Sequence, residues 1–313
     1  MRTRLRRLAG LLPFAAVVTG AVVVAQNPPP IRDNRTFRSG IEITSITATV
    51  TDRAGHLVTG LQREAFEVYE DGTRQTITQF TSERVPIGLG VLLDISDSMF
   101  GKRIQDARAA VDRFLFDLLN PADEFFLMAF NHKPHTPTDW THVRDDIAHA
   151  LDALKPSGGT AIYDTIIEAL PLMERRRGGR AAVLVISDGA DTASNATLRT
   201  VATALHHSDA FVYAIGIDPP ERQAINTRVN AQALNEITGE SGGRTEVVRN
   251  KAELDAATAR IAEELNSQYV LGYTSPLGAD GQFHSIRVRT PAGDYRVRAR
   301  NGYVATRGTR QDR

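Results

Sequence analysis

Residues 85–101, VPIGLGVLLDISDSMFG, constrain this chain more than any other stretch. The run 87–93 is short and apolar, which reads as a strand buried on both faces, as in a parallel sheet covered by helices. It stops at Asp94. After Gly101 the apolar residues Ile104, Ala107, Val111, Phe114, Leu115 and Leu118 recur at helical spacing. One carboxylate and two hydroxyls, spaced D-x-S-x-S, therefore fall in a loop between a core strand and a helix. In an open α/β sheet, ligands bind at such strand-end loops. Asp94, Ser96 and Ser98 offer hard oxygen donors, the kind that suit magnesium, calcium or manganese rather than zinc.

Two later segments supply what that loop lacks. Residues 156–160, PSGGT, form a flexible loop that carries the Thr160 hydroxyl into a helix starting near Ala161. Residues 181–186 are a second buried strand, ending at Ser187-Asp188-Gly189. Taken singly, Asp94 reads as a helix N-cap, Ser96 and Ser98 as turn formers, and Asp188-Gly189 as a turn. Taken together, three oxygen-bearing loops at strand ends resemble the von Willebrand factor type A family. Its metal-ion-dependent adhesion site runs D-x-S-x-S, then a Thr after a Gly-rich turn, then an Asp ending a later strand.

The resemblance implies a doubly wound α/β domain with strand order 3-2-1-4-5-6, which sets the strands ending at Asp94 and Asp188 side by side at the switch point. It also implies a metal held by Asp94, Ser96, Ser98, Thr160 and Asp188, directly or through water, with Mg²⁺ expected and Mn²⁺ or Ca²⁺ possible. Two carboxylates and three neutral hydroxyls leave the ion electrophilic, so the expected partner is a protein that offers a Glu or Asp carboxylate. One departure is Asp97, where many members carry Gly; Asp tolerates a left-handed backbone better than most residues.

Two other readings stay open: a hydrolase using the same ion on a phosphate ester, and a structural envelope component with an unoccupied site. Sequence features argue against an enzyme. A dehalogenase-type phosphatase needs a second Asp where this chain has Ser96. There is no Walker A loop and no G-x-G-x-x-G after the first strand, and the one G-x-S-x-G match, residues 239–243, follows a helical stretch rather than a strand, so it is no nucleophile elbow. His132, His135, His142 and His149 lack a Cys or firm carboxylate companion and read as solvated. Asp191 and Asp97 read as exposed, and Asp164 as facing solvent or capping the preceding loop.

Composition narrows the compartment. The 313 residues carry no cysteine and a formal net charge of zero, so neither a disulfide framework nor nucleic-acid binding is indicated. Residues 1–25 have a basic start (Arg2, Arg4, Arg6, Arg7), an apolar stretch and small residues Val23 and Ala25 at cleavage spacing. They read as a signal peptide, directing the chain to a periplasmic or secreted location. An uncleaved membrane anchor is the alternative, weakened by Gly10, Pro13, Thr19 and Gly20 in the apolar stretch.

Residues 26–35, with Pro28, Pro29 and Pro30, read as an extended linker. Residues 41–51 read as a strand with a bulge near Thr44-Ser45, and Asp71-Gly72 as a hairpin turn into a strand over 73–81. In the α/β body, strands are expected at 124–130, 181–186, 210–217 and 245–248. Helices are expected at 145–154, 161–174, 198–207 and 229–238, with an amphipathic one around 254–265. The basic run 175–180 reads as an exposed turn.

After Asn266 the pattern returns to β at 269–273, 283–290 and 295–300. Each flank is too small to hold a core alone, so the two are expected to join in one β-sandwich. The runs G-L-x-x-x-x-F-x-V-Y-E-D-G at 60–72 and Q-Y-x-L-G-Y at 268–273 resemble exported bacterial relatives of the same family. The expected division is signal peptide 1–25, linker 26–35, sandwich 36–83, α/β domain 84–266, sandwich 267–305 and a disordered tail 306–313.

Overall fold

The computed structural model describes residues 43–218, 229–291 and 293–306, all within one compact unit spanning residues 41–313. The signal peptide, the linker and nearly all of the tail expected from the sequence lie outside the described residues. In chain order the first strands are β1 Ile43–Thr51, β2 Glu67–Glu70, β3 Thr73–Gln75 and β4 Gln79–Thr81. The α/β body follows as β5 Ile87–Asp94, α1 Lys102–Arg113, β6 Glu124–Phe130, β7 Pro134–Thr141, α2 Arg144–Ala153, α3 Ile162–Met173, β8 Arg180–Ser187, α4 Leu198–His206, β9 Phe211–Ile217, α5 Ala231–Ser241, β10 Thr245–Val248 and α6 Lys251–Asn266. The chain closes with β11 Tyr269–Thr274, β12 Phe283–Arg289, β13 Arg296–Arg298 and β14 Gly302–Val304.

The body is a six-stranded sheet ordered β10-β9-β8-β5-β6-β7, parallel except for the β6–β7 pair. Counted within the body, this is the expected 3-2-1-4-5-6. The strand β5 lies at its centre, and all eight of its residues are buried. Alternate side chains feed two cores. Leu89, Val91 and Leu93 pack with α1, α2 and α6, whereas Leu92 packs with α3, α4 and α5. Each such leucine contributes about 2–3 kcal/mol when it leaves water, so the period-2 geometry of the strand turns one apolar run into glue for both layers. Gly90 has a packing reason: a Cβ there would lie 2.5 Å from the Phe126 ring.

The flanks interleave. One sheet is β13-β1-β11-β4 and the other β14-β12-β2-β3. Thus β1 runs between two C-terminal strands, and β2 pairs β12 through Ile286↔Glu70 to Arg289↔Glu67. Ile46, Val50, Phe66, Val68, Tyr269, Leu271, Tyr273 and Ile286 fill the space between the sheets.

Several local expectations change. No bulge interrupts β1: its pairing with β11 is continuous from Ile43↔Thr274 to Ala48↔Tyr269. The slip in alternation arises because Thr44 turns inward while Ile43 faces out. The strand expected over 73–81 is two strands in different sheets. Ile77 is buried between them, and Thr78 donates its backbone N–H to the Gly272 carbonyl at 2.8 Å.

No expected segment corresponds to β7, the edge strand that the six-strand order requires, because its proline-containing, half-exposed sequence lacks alternation; it is the antiparallel edge of the body, with register shifts. The basic run is not uniformly exposed. Arg180 opens β8 and is buried, donating to Gln268 and to the carbonyls of Leu265 and Val85. Burial lowers its pKa to about 10.

Candidate metal centre

Parallel pairing of β5 and β8 through Leu93↔Ile186 brings their C-terminal ends together. Asp94 ends β5, fully buried. Its Oδ1 accepts the Ser96 N–H at 2.7 Å, and its Oδ2 accepts the Ser187 hydroxyl at 2.5 Å. Beyond it, Asp97–Met99 forms a 3-10 turn anchored by the fully buried Met99. Gly101 then takes φ 77°, a left-handed value that suits glycine, before α1 begins. Asp97 is exposed and right-handed in this turn, so replacing a family glycine there imposes no backbone strain.

The turn points two hydroxyls at the neighbouring strand end. Ser96 Oγ and Ser98 Oγ lie 3.0 Å apart, and Ser98 Oγ donates to Asp188 Oδ1 at 2.6 Å. Asp188 is also fully buried. Its other oxygen, Oδ2, accepts from Arg103 Nη1 at 3.0 Å, and the same nitrogen donates to the Ser98 carbonyl at 2.8 Å.

The third loop is stitched to the first by its backbone. Ser157 N–H donates to Ile95 O at 2.7 Å, and Asp97 N–H to Gly158 O at 2.9 Å. Thr160, nearly buried, is held by Thr192: its N–H donates to Thr192 Oγ1 at 3.1 Å, and its carbonyl accepts the Thr192 N–H at 2.8 Å.

Four of the five expected site residues thus form one hydrogen-bonded group: Asp94 to Ser96, Ser96 to Ser98, and Ser98 to Asp188. Thr160 joins the same cluster of loops through its backbone, and among the described residues its hydroxyl is bonded to none of the other four.

Sequence reasoning missed four supporting groups. Ser187, the last residue of an apolar strand, orients Asp94; its hydroxyl at a strand end beside an Asp was the available signal. Arg103 and Thr192 carried none, because their roles depend on which loops meet. Asp191, expected to be exposed, is half-buried: its Oδ2 accepts the Tyr163 N–H at the start of α3, and the carboxylate also binds Ser194. Asp164 caps from the other side, accepting the N–H groups of Asn195 and Ala196.

The electrostatics of the two site carboxylates differ. Burial pushes Asp94 up to about 7; hydrogen bonds from Ser187 and Ser96 oppose this, and the charge of Asp188 adds to it. Burial also raises Asp188, with Ser98 and Arg103 pulling it back. Among the described residues no Lys, Arg or His pairs with Asp94. A buried carboxylate in that state either keeps its proton or takes a cation. Among the described residues there is also no group of three or more His, Asp or Glu side chains that could hold a metal. The available set is therefore two carboxylates completed by hydroxyls, which fits a hard, oxygen-seeking divalent cation.

Comparison with known proteins bears on what this arrangement is. Bovine (Bos taurus) inter-alpha-trypsin inhibitor heavy chain H4 is 27% identical over 121 residues, 34% of this chain; the match spans 13% of that relative's length. Proximal thread matrix protein 1 from the mussel byssus superposes with a TM-score of 0.52 at 16% identity, covering 63% of this chain and 51% of its own, which shows a shared fold. An aerotolerance-related membrane protein from Bacteroides fragilis matches at 22% identity with a TM-score of 0.49, covering 57% of this chain and 98% of its own. Residues 89–190, which run from β5 past the end of β8 and contain all five residues named above, match the family described as von Willebrand factor type A domain. Over residues 89–190 the α/β body of this chain is thus similar to a von Willebrand factor type A domain.

Proposed function

We propose that this chain is a metal-dependent protein-binding module, exported from the cytoplasm and without catalytic activity. In this reading Asp94, Ser96, Ser98, Thr160 and Asp188 hold Mg²⁺, and a Glu or Asp of the partner protein completes the site. Mn²⁺ and Ca²⁺ suit the same oxygens. Domains of this family are generally adhesion or interaction modules. The observation that carries the proposal is Asp94: a fully buried carboxylate at a strand end, held by neutral donors of Ser187 and Ser96, with no cation of its own among the described residues.

The chain's own residues have separable tasks. Asp94 and Asp188 supply negative charge. Ser96, Ser98 and Thr160 supply neutral oxygens that leave that charge incompletely balanced against a divalent ion. Ser187 and the Ser96 N–H fix the Asp94 rotamer, so little reorganisation is needed. When bound, such an ion offers an exchangeable position to an anionic oxygen. A structure of the mussel byssus protein named above, at 15% identity and a TM-score of 0.50, is described with a zinc-occupied MIDAS motif. That description agrees with a metal-holding role for this fold and leaves the ion in the present chain to experiment.

Export follows from the leader-like residues 1–25, and the sandwich from 36–83 and 267–305 is taken as the second domain. The test is a pull-down from envelope extract in Mg²⁺ or EDTA, comparing wild type with Asp94→Ala. A protein captured in Mg²⁺ by wild type alone, and lost when its contacting Glu or Asp is changed to Gln or Asn, is the expected result. Capture that ignores EDTA and Asp94→Ala refutes the reading.

A further inference from the structure

Two cations follow Gly101 in sequence, and the structure uses them differently. Lys102 pairs with Asp106 one turn along α1, at 2.6 Å on the surface. Arg103 turns back to the loops: Nη1 lies 3.0 Å from Asp188 Oδ2 and 2.8 Å from the Ser98 carbonyl, with the side chain 24% exposed. Both oxygens of Asp188 are thus occupied from within the chain, Oδ1 by the Ser98 hydroxyl and Oδ2 by a guanidinium. Among the described residues Asp94 has amide and hydroxyl donors alone. A monovalent cation fixed to one of two site carboxylates halves the negative charge available to a divalent ion, and it repels that ion across a short, partly buried distance.

We infer that Arg103 is a built-in counter-ion that competes with the divalent cation for Asp188 and so sets the metal concentration at which the site fills. This rests on the metal-holding reading of the five residues above. Without metal, the Arg103–Asp188 pair neutralises a buried carboxylate and pins the Ser98 turn. With metal, Asp188 and Ser98 serve the ion, and the guanidinium gives up its hold on Oδ2. A purely structural role for Arg103 has the opposite consequence. If the arginine mainly holds the Ser98 carbonyl in place, its loss disorganises the loop and weakens metal binding. The sign of the change in affinity separates the two.

The experiment is a Mg²⁺ titration by calorimetry, with melting curves across the same concentrations, on wild type, Arg103→Gln, Arg103→Met, Arg103→Lys and Asp94→Ala. Removing the charge in either of two ways is expected to tighten Mg²⁺ binding about tenfold while lowering the melting temperature of the metal-free protein. Arg103→Lys, which keeps the charge, stays near wild type. Unchanged or weaker Mg²⁺ binding in the charge-free variants, with wild-type binding abolished by Asp94→Ala, overturns the competition and leaves the metal site standing. Absence of Mg²⁺ binding in wild type and charge-free variants alike overturns both.

Discussion

Two fully buried acids, Glu264 near the end of α6 and Asp94 at the end of β5, are treated in opposite ways by the same fold. Glu264 is saturated. Its Oε1 accepts from Tyr213 at 2.9 Å and Thr49 at 3.3 Å, and its Oε2 takes Arg298 at 2.5 Å with Arg244 Nη1 3.6 Å away. These partners come from the body (Tyr213), the loop before β10 (Arg244) and both flanks (Thr49 and Arg298), so the cluster ties the flanking sheets to the α/β body. Asp94 has neutral donors and, among the described residues, no cation. The difference suggests a criterion: a buried charge with a structural role is balanced within the chain, and one proposed to bind an ion is oriented but left unbalanced.

The comparison is most open to attack through stability. Glu264→Ala takes the carboxylate partner from Arg298 and leaves the Tyr213 and Thr49 hydroxyls facing an empty position, and should cost about 3–5 kcal/mol. Asp94→Asn, measured without metal, should cost less than about 1 kcal/mol, since it removes an unbalanced charge and keeps the shape. Urea unfolding of both variants checks this, and equal losses would erase the distinction.

Metal should reverse the ranking. At Mg²⁺ a hundredfold above its dissociation constant, wild type should gain about 2.7 kcal/mol, read as a higher melting temperature. Asp94→Asn should gain nothing. A wild-type melt that does not respond to Mg²⁺ or EDTA removes the functional half of the contrast.

A smaller effect is expected from pH. The Asp94 carboxyl is raised from 3.8 to about 7 in the folded, metal-free protein. Between those values the folded chain holds a proton that the unfolded chain has released. Its contribution to stability is therefore fully present below about pH 4 and lost as pH rises through about 7. Metal-free wild type should lose stability over that window relative to Asp94→Asn, and Mg²⁺ should bind more tightly towards the upper end. Parallel pH profiles for the two proteins would contradict the assignment.

The smallest effect belongs to Thr160. Its hydroxyl is bonded to none of the other site residues among those described, and its loop is held by backbone. Thr160→Ala should leave the melting temperature unchanged and weaken Mg²⁺ binding about threefold to tenfold, the worth of one lost oxygen contact. A loss as large as that of Asp94→Ala would mean that the hydroxyl is as central as the carboxylates.

By itself the sequence determined the α/β body and which strand ends carry the candidate site. Short continuous apolar runs such as 87–93 and 181–186, bounded by turn residues, suit strands covered on both faces, and a run that ends in Asp places that Asp at a strand end. Hydrophobic periodicity is local, so it survives without tertiary knowledge. What the tertiary structure decided is what depends on neighbours distant in sequence. Edge strand β7 carries no periodic signal because half of it meets water. Thr44 outcompetes Ile43 for an inward position because β11 sets the register. Arg180 is buried because carbonyls from residues 85 and 265 converge on it. Within the site, the donors could be read from their types and spacing. Ser187 orienting Asp94 and Arg103 neutralising Asp188 could not, because a charge's worth is set by what stands within a few ångströms of it, and chain order does not encode that distance.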